Sequence, residues 1–264
     1  MPTSIEADFI AKPDGNLGGN LEGKTALVTG AAGVMGLAAT RALLREGAVV
    51  IMADVSRERL AGLARELGDR AVQAVFDVTD PVAIDREMKR LEGSAGGVDI
   101  LVNNAGILTT HKSETTTPEE WRRVLEINLG GIFFMSRAVI PGMKARGWGR
   151  IINVSSMAAQ TGGINAGTAY AASKGGVISL TRSLAVETAA FGITANAIAP
   201  AYVRTPMITE QFSEEQRRAV LARIPVGRFC EPEEFAHVVC FLASPLSGFI
   251  TGDVININGG LYFN

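Results

Sequence analysis

Tyr170 and Lys174 stand four residues apart, at the start of a long segment of helical period. An i, i+4 spacing places both side chains on one face of a helix. A phenol is a poor base at neutral pH because its pKa is near 10, but a neighbouring ammonium group stabilises the phenolate and lowers that pKa. The pair is therefore suited to exchanging a proton with an alcohol or a carbonyl group. Surface and packing pairs share this spacing, so the pair alone does not establish catalysis.

A glycine-rich turn, from Gly30 to Gly36, is the second candidate for chemistry. It follows a short apolar run and begins a helical segment, so its glycines would let the backbone approach a pyrophosphate at a helix N-terminus. The next apolar run ends at Asp54, where a carboxylate would accept the hydroxyl groups of an adenine ribose and repel a 2′-phosphate. Together these features favour a nucleotide, and NAD over NADP; a packing turn and a strand-end carboxylate are the alternative. The predicted cofactor contacts are Gly30, Gly33, Met35, Gly36 and Asp54.

Short apolar runs rich in β-branched residues alternate with longer helical segments from residue 24 onward. This alternation predicts βα units and a parallel sheet covered by helices on both faces. No linker or internal repeat divides residues 21–264, so we predict one α/β domain: a three-layer αβα sandwich around a doubly wound, seven-stranded parallel sheet, the Rossmann fold. Such a sheet binds its ligand at the carboxyl ends of its strands. The predicted strands are Thr25–Thr29, Ala48–Ala53, Ala71–Phe76, Val98–Val102, Arg150–Val154, Ile193–Ile198 and Asp253–Ile257.

The composition excludes several classes of protein. Of the 264 residues, 47% are hydrophobic and 20% are charged, which excludes disorder. The formal net charge is -2, without long runs of one sign, so we expect no nucleic-acid partner. Cys230 and Cys240 lie on or beside one predicted helix, too far apart to bond, and are expected to be free thiols in a reducing compartment.

Residues 1–20 are predicted to be a lead-in outside the domain, because they carry glycine and asparagine with little periodicity. This stretch has no basic opening and no apolar core of signal length. No later apolar run approaches the ~18 residues needed to span a bilayer. We therefore expect a cytoplasmic protein without a membrane partner, and we predict no metal site.

Additional motifs follow in a fixed order along the chain: Asp77 in Phe76-Asp77-Val78, the run Asn103-Asn104-Ala105-Gly106, Asn128 in Ile127-Asn128-Leu129, Ser156, and the segment from Pro200 to Met207. With these motifs beside the glycine turn and the Tyr170/Lys174 pair, residues 21–264 resemble the short-chain dehydrogenase/reductase family, in its single-domain branch of about this length. The motifs are jointly highly specific, and the resemblance covers nearly the whole chain.

The resemblance implies a role for each catalytic candidate. Tyr170 would be the general acid/base, and Ser156 would hydrogen-bond the substrate oxygen. Lys174 would lower the pKa of Tyr170 and hold the nicotinamide ribose, while Asn128 would complete a proton path to Lys174 through a water. The further cofactor contacts implied are Asp77 and Val78 at the adenine, Asn104 at the adjacent ribose, Val203 with Thr205 at the carboxamide, and Tyr170 with Lys174.

Three positions depart from the family pattern. Val34 stands where the turn usually has a glycine, with Gly33 one place earlier, so the local pyrophosphate geometry is in question. Ala201 occupies another position where the family usually has glycine. Ser155 is a contender for the role of Ser156; strand alternation puts only one of the two on the reacting side, and the family pattern selects Ser156.

The resemblance favours an NAD-dependent oxidoreductase that interconverts a secondary alcohol, of polyol, sugar or hydroxy acid type, and its ketone by hydride transfer. Two alternatives stay open. An NADPH-dependent ketoreductase of 3-oxoacyl carrier-protein substrates would carry basic residues near the adenine ribose, where this sequence has Gly33 and Asp54. A non-catalytic nucleotide sensor would typically lack the tyrosine or the lysine, and here both are present.

Loops at the mouth of the site are expected to determine the small-molecule substrate. They comprise the segment after Ser156, residues Ala201 and Tyr202, and a lid from Met207 to about Ile224 that contains a charged helix, Glu214 to Arg223. Polar residues near this mouth hint at a polar substrate: Gln160, His111 and Arg204.

The resemblance also implies a homotetramer. Relatives commonly assemble through the long helices that follow Pro118 and Thr168, with C-terminal strands near Gly259 packed together. The C-terminal residues 259–264 are apolar enough to be buried against a neighbouring subunit.

Overall fold

Seven strands form one sheet in which every neighbouring pair is parallel, in the order β3-β2-β1-β4-β5-β6-β7. The computed structural model describes residues 21–206 and 213–263, apart from the side chains of residues 92, 94 and 95. The predicted lead-in, 1–20, and the part of the predicted lid from 207 to 212 lie outside the described residues, as does residue 264. The strands are β1 Thr25–Thr29, β2 Val49–Asp54, β3 Ala71–Val75, β4 Ile100–Asn103, β5 Gly149–Val154, β6 Ile193–Pro200 and β7 Val254–Ile257.

The direction in which strands are added reverses between β1 and β4. The chain first adds β2 and β3 on one side of β1, then crosses to the other side, where Leu101 of β4 lies opposite Leu27 of β1. This is the topological switch point of a doubly wound sheet, and the loops that leave the carboxyl ends of β1 and β4 diverge there to form a ligand crevice. The predicted α/β class and seven-stranded parallel sheet are confirmed.

Helices follow the strands and begin where the sequence supplies caps. The Asp80 carboxylate accepts hydrogen bonds from the amides of Val82 and Ala83, and the Thr117 hydroxyl accepts one from Glu120, with proline next in both cases. The helices are α1 Val34–Arg45, α2 Arg57–Leu67, α3 Pro81–Ala95, α4 Pro118–Leu125, α5 Gly131–Arg146, α6 Ala158–Thr161, α7 Thr168–Thr188, α8 Glu214–Leu221 and α9 Pro232–Ala243.

The core lies in two layers, one on each face of the sheet. Alternate residues of β1 enter different layers, because successive side chains of a strand point to opposite faces. Val28 packs with side chains of α1, α2 and α9, among them Leu43, whereas Leu27 packs with side chains of α3, α5 and α7, among them Met135. The three-layer sandwich follows from this alternation.

One continuous helical stretch, Pro118–Arg146, consists of α4, a π-helical turn Glu126–Gly130, and α5. By length and composition alone it could cross a membrane, which the sequence interpretation did not anticipate. Core helices pass the same test, and Met135, Val139 and Met143 of α5 pack against the sheet. Of its most apolar stretch of 18 residues, 39% is buried within the chain, and Phe133 of α5 is 45% exposed, so this apolar side chain lies outside the core.

The strand boundaries differ from the predicted ones by two residues or fewer. The largest differences are a start of β4 at Ile100 and an end of β6 at Pro200. β6 extends because its last residue still pairs with Ile257 of β7, a contact that sequence patterning does not reveal. Cys230 and Cys240 are free thiols, as predicted.

Candidate active site

A cavity of about 310 Å³ opens beyond the carboxyl ends of β4, β5 and β6. It brings together side chains that are far apart in the sequence, because the ends of neighbouring parallel strands meet at one edge of the sheet. Several predicted site residues line the cavity: Met35, Asn104, Ser156, Tyr170, Lys174, Val203 and Thr205. The glycines of the turn, Asp54, Asp77, Val78 and Asn128 lie outside this lining.

Tyr170 and Lys174 occupy the first two turns of α7. The pKa of Tyr170 is raised, because the effect of burial exceeds that of a hydrogen bond with Ser156, which lowers it. The expected lowering of this pKa by Lys174 is therefore not found. Lys174 is buried, and its ammonium group donates a 2.7 Å hydrogen bond to the carbonyl of Val154 at the end of β5. Burial lowers the pKa of Lys174 to about 8. Its nitrogen lies 5.8 Å from the centre of the Tyr170 ring, so the charge and the phenol share one pocket.

The two serines after β5 make different contacts. The hydroxyl of Ser155 is buried and donates a 2.9 Å hydrogen bond to the carbonyl of Lys174. The hydroxyl of Ser156 hydrogen-bonds Tyr170 and accepts a hydrogen bond from the amide of Ala158. This geometry favours Ser156 as the partner of the Tyr170 phenol. Ser155 instead links the end of β5 to α7.

Asn128 lies in the π-helical turn and is fully buried. Its side-chain oxygen accepts a 2.8 Å hydrogen bond from the amide of Ile107, and its nitrogen donates to the carbonyl of Ile107 and to the hydroxyl of Ser173. The side chain therefore fixes the loop after β4 against α7. A side chain at Gly106 would come within 3.1 Å of the Asn128 oxygen and 3.5 Å of the Lys174 nitrogen, so this glycine permits the close packing there.

The glycine turn has the shape of a pyrophosphate cradle. Gly30 has a φ of +64°, in the left-handed region that favours glycine. A Cβ at Gly36 would lie 2.2 Å from the carbonyl oxygen of Gly30, so no side chain fits there. Gly33 caps α1 in an extended conformation, and Val34 is the first helical residue. The departure at Val34 therefore falls at a position with ordinary helical geometry, and the residues present fit a dinucleotide at the helix N-terminus.

Thr29 and Asn104 bind the glycine turn to the loop after β4. The Asn104 side chain donates hydrogen bonds to the carbonyls of Thr29, at 3.0 Å, and Gly30, at 3.2 Å. The Thr29 hydroxyl accepts hydrogen bonds from the amides of Asn104 and Ala105. Sequence reasoning missed Thr29; the signal was a hydroxyl residue at the end of the strand that precedes the turn.

Asp54 ends β2 and is half-buried beside the turn. One carboxylate oxygen accepts a hydrogen bond from the amide of Ala32, and the other accepts one from Ser56, both at 3.1 Å. Arg59 of α2 donates to the carbonyl of Ala32, which places a guanidinium group at the same turn. Sequence reasoning missed Arg59. Because each carboxylate oxygen can accept a second hydrogen bond, Asp54 retains acceptor capacity for a ribose.

The remaining predicted residues differ in their placement. Asp77 is exposed and accepts hydrogen bonds from the amide and hydroxyl of Thr79, while Val78 packs against Gly131 at the start of α5. His111, Gln160 and Arg204, the polar residues expected near the mouth, do not line the cavity. His111 pairs with Glu120 at 2.6 Å, and Arg204 pairs with Glu231 at 2.8 Å.

The unusual backbone conformation in the segment after Pro200 falls on Tyr202 and not on Ala201. Ala201 donates its amide to the carbonyl of Ile257 and lines the cavity. Tyr202 then adopts a φ of +48°, and Val203 pairs with Cys230 in an isolated bridge. The left-handed residue after Pro200 is therefore an aromatic residue that also lines the cavity.

Comparison with known proteins agrees with this geometry. The family model described as enoyl-(acyl carrier protein) reductase matches residues 30–262. The chain is 45% identical to a 3-oxoacyl-(acyl-carrier-protein) reductase of Vibrio cholerae over 92% of this chain and 99% of that protein. It is 44% identical to the reductase of the same name from Thermotoga maritima, over 91% and 98% of the two chains, and 40% identical to that of Escherichia coli, over 92% and 99%. The chain, which carries the glycine turn together with Tyr170 and Lys174, therefore belongs to the short-chain dehydrogenase/reductase family and is a nicotinamide-dependent oxidoreductase that acts on CH–OH or ketone groups.

Proposed function

We propose that the protein reduces an apolar 3-oxoacyl group to the 3-hydroxyacyl group with NADH, and catalyses the reverse reaction with NAD. The observation that carries this proposal is the apolar cavity around Ser156, Tyr170 and Lys174. Similarity to reductases named for 3-oxoacyl groups on acyl carrier protein supports the same class of substrate. In the reductive direction, ketone, NADH and one proton give secondary alcohol and NAD.

The side chains of this site divide the work on the substrate oxygen. Ser156 and Tyr170 would hydrogen-bond the ketone oxygen, and the Tyr170 phenol would donate its proton as the oxygen becomes a hydroxyl group. Lys174 would hold the nicotinamide ribose and favour the phenolate that remains. Asn128 would keep the loop after β4 in place, and the proton path through it stays a prediction. The bound nicotinamide supplies or accepts the hydride, which is the hard chemistry of the reaction.

The cavity lining favours an apolar substituent next to the reacting carbon. Among the described residues that line it, Lys174 is the only charged one, and its buried ammonium group donates a hydrogen bond to the Val154 carbonyl. A sugar, polyol or hydroxy acid needs several polar partners in a buried site, because unpaired polar groups are costly to bury. The 3-oxoacyl alternative therefore fits this lining better than the expected polar substrate. The apolar lining residues include Ile107, Leu108, Met157, Ala158, Ile164 and Val203.

A substrate panel tests the proposed function. The panel comprises 3-oxoacyl thioesters on N-acetylcysteamine and on acyl carrier protein, simple ketones, and sugars and polyols in the oxidative direction, each followed by NADH absorbance. We expect turnover of the thioesters and little with sugars or polyols. Turnover confined to the polar substrates would contradict the proposal, and Tyr170→Phe serves as the catalytically impaired control.

NAD(H) is the proposed cofactor because Asp54 lies beside the turn, where its carboxylate would accept ribose hydroxyls and repel a 2′-phosphate. NADP(H) is the second candidate, since the Arg59 guanidinium group reaches the same turn and is suited to a phosphate. We expect Asp54→Ala to weaken NADH binding about tenfold, as for the loss of roughly 1.4 kcal/mol, and to reduce the preference over NADPH. Fluorescence titration with both cofactors measures this, with Asp69→Ala, an exposed carboxylate before β3, as the control.

The proposed setting of the enzyme follows from the same features. We expect a cytoplasmic homotetramer with a small-molecule or carrier-bound substrate and without a nucleic-acid or membrane partner. The exposed aromatic residues of Pro118–Arg146, Trp121 and Phe133, support assembly, because exposed apolar side chains are often buried at interfaces.

A further inference from the structure

A second cavity, of about 360 Å³, lies beside the catalytic one, between the loop after β4, the loop before α7 and helix α8. Its lining comprises Thr110, Asn165, Gln216, Ala219, Val220 and Arg223. Asn165 lines both cavities. Asn165 therefore borders both the cavity assigned to the reacting carbonyl and a further cavity of similar size.

Asn165 is held in this position by Tyr202. Its side-chain nitrogen donates a 2.8 Å hydrogen bond to the Tyr202 hydroxyl, which joins the loop before α7 to the segment after β6. Both residues line the catalytic cavity. The bond thus joins two residues of the cavity lining on the side of α8.

Tyr202 is itself fixed on several sides. Its carbonyl accepts a hydrogen bond from the amide of Cys230, and its ring packs against the cluster of Val220, Ile224 and Phe229 beside α8. Among residues 21–206 and 213–263 it is the only non-glycine residue with a positive φ. Bulky residues rarely adopt this conformation, and such outliers concentrate at functional sites.

Lys112 positions the loop that carries Asn165. Its ammonium group donates hydrogen bonds to the carbonyls of Gly163, Ile164 and Ala166, at 2.7, 3.1 and 2.6 Å. These three carbonyls surround Asn165 in the sequence, so the loop is fastened on both sides of it. Asn165 is exposed to solvent, so the fastening of its loop and its bond to Tyr202, rather than burial, hold it in place.

We propose that Asn165, held by Tyr202, is a partition that limits the length of the substituent on the reacting ketone. The catalytic cavity of about 310 Å³ must also hold the nicotinamide end of the cofactor, because predicted cofactor contacts such as Lys174 and Thr205 line it. With the partition in place, the space left for the substituent on the ketone is therefore smaller than this volume, which favours short chains. Without it, a longer chain passes from the catalytic cavity into the second one. Asn165 and Tyr202 are thus specificity-determining residues. The inference rests on the proposed function for its substrate class, and on the two cavities for its geometry.

The test compares chain lengths in three variants. Asn165→Ala removes the partition, Tyr202→Phe keeps the ring and removes the hydrogen bond, and Ser113→Ala is the matched control. Ser113, in the loop after β4, hydrogen-bonds Thr168, the first residue of α7, at 3.1 Å, and neither residue lines either of the two cavities. The kcat/KM values for 3-oxoacyl N-acetylcysteamine thioesters of four and ten carbons are measured with NADH, after melting curves have shown that each variant is folded.

We expect Asn165→Ala to raise the ratio of the ten-carbon to the four-carbon kcat/KM at least tenfold. Tyr202→Phe should change it in the same direction by a smaller factor, and Ser113→Ala should leave it within twofold. A binding measurement makes the same comparison without turnover: calorimetry gives the Kd values of 1-butanol and 1-decanol, and their ratio should change as the kcat/KM ratio does. It therefore tests the partition even if the thioesters are not substrates and the proposed function fails. An unchanged ratio in both Asn165→Ala and Tyr202→Phe, by either measurement, would overturn the partition.

Discussion

At the scale of single residues, the proton chemistry depends on the Tyr170 phenol, which lies beside Ser156 in a largely apolar cavity. Replacing Tyr170 by Phe removes the hydroxyl group and keeps the ring, so we expect a loss of about 10²–10⁴-fold in kcat, the usual contribution of a general acid or base. NADH binding should be retained, because the cradle at Gly30 and Gly36 is untouched. Steady-state rates and NADH fluorescence measure the two effects, and activity within tenfold of the wild type would refute the role.

The pH dependence of the reaction follows from the same pair of residues. Burial raises the pKa of Tyr170, and the hydrogen bond with Ser156 lowers it. Alcohol oxidation needs the phenolate, so its rate should rise with pH, whereas ketone reduction needs the protonated phenol and should fall at high pH.

Ser156→Ala removes the interaction that lowers the pKa of Tyr170. We therefore expect the midpoint of the oxidation profile to move to higher pH in this variant, in addition to a lower maximum rate. The profile of kcat/KM against pH measures the shift, with Ser113→Ala as a control that lies outside the cavity. A midpoint that moves to lower pH would contradict the assigned hydrogen bond.

At the scale of elements, the turn between β1 and α1 sets the cofactor site through close backbone contacts. A methyl group at Gly36 would lie 2.2 Å from the Gly30 oxygen and 2.8 Å from the Cα of Ala31, and backbone atoms cannot move aside easily. We expect Gly36→Ala to destabilise the protein by about 1–3 kcal/mol, as overpacking does, and to weaken NADH binding at least tenfold. Thermal melts and fluorescence titration measure both effects.

Gly62→Ala is the matched control for that prediction. Gly62 lies within helix α2, and no atom comes within 4 Å of an added Cβ. Alanine is the better helix former by about 0.5–1 kcal/mol, so this variant should be slightly more stable and bind NADH as the wild type does. Equal destabilisation by both substitutions would show that the turn does not require glycine at position 36.

At the scale of the whole molecule, the long helical stretch Pro118–Arg146 presents apolar side chains that the chain itself does not cover. Phe133 on α5 is 45% exposed, and the predicted tetramer would bury it. Sedimentation at micromolar concentration should give four times the mass of the chain, and Phe133→Asp should give smaller species. Val82→Asp, at an exposed apolar residue on α3, is the control. A stable wild-type monomer would refute the tetramer.

Much of the fold was predictable because the local patterns agree with it. The apolar runs located all seven strands, and two helices begin at local caps, Asp80 and Thr117, each followed by proline. Strand ends were less accurate, since the extent of β6 depends on its partner β7 rather than on its own residues. The sequence predicted a doubly wound sheet but not the order of its strands, because strand pairing joins residues that are distant in the chain.

The candidate site was predicted residue by residue, and tertiary contacts then separated the candidates. Sequence spacing did not decide between Ser155 and Ser156; the contacts to Lys174 and Tyr170 favour the second. Polar residues near the mouth indicated a polar substrate, but His111 and Arg204 are paired with carboxylates outside the cavity, and the lining is mainly apolar.

By itself, then, the sequence determined the α/β class and the strand positions, since these depend on periodicity and on short-range spacing. The candidate residues at the sheet edge came mainly from the resemblance of its motifs to the short-chain dehydrogenase/reductase family. Only the tertiary structure decided what surrounds them. The lining of the cavity, the fastening of Asn104 to the glycine turn and the position of Asn165 between two cavities arise from loops that touch across 37 to 75 residues of chain. No local pattern encodes such contacts, because they form only when the strands that carry the loops are paired.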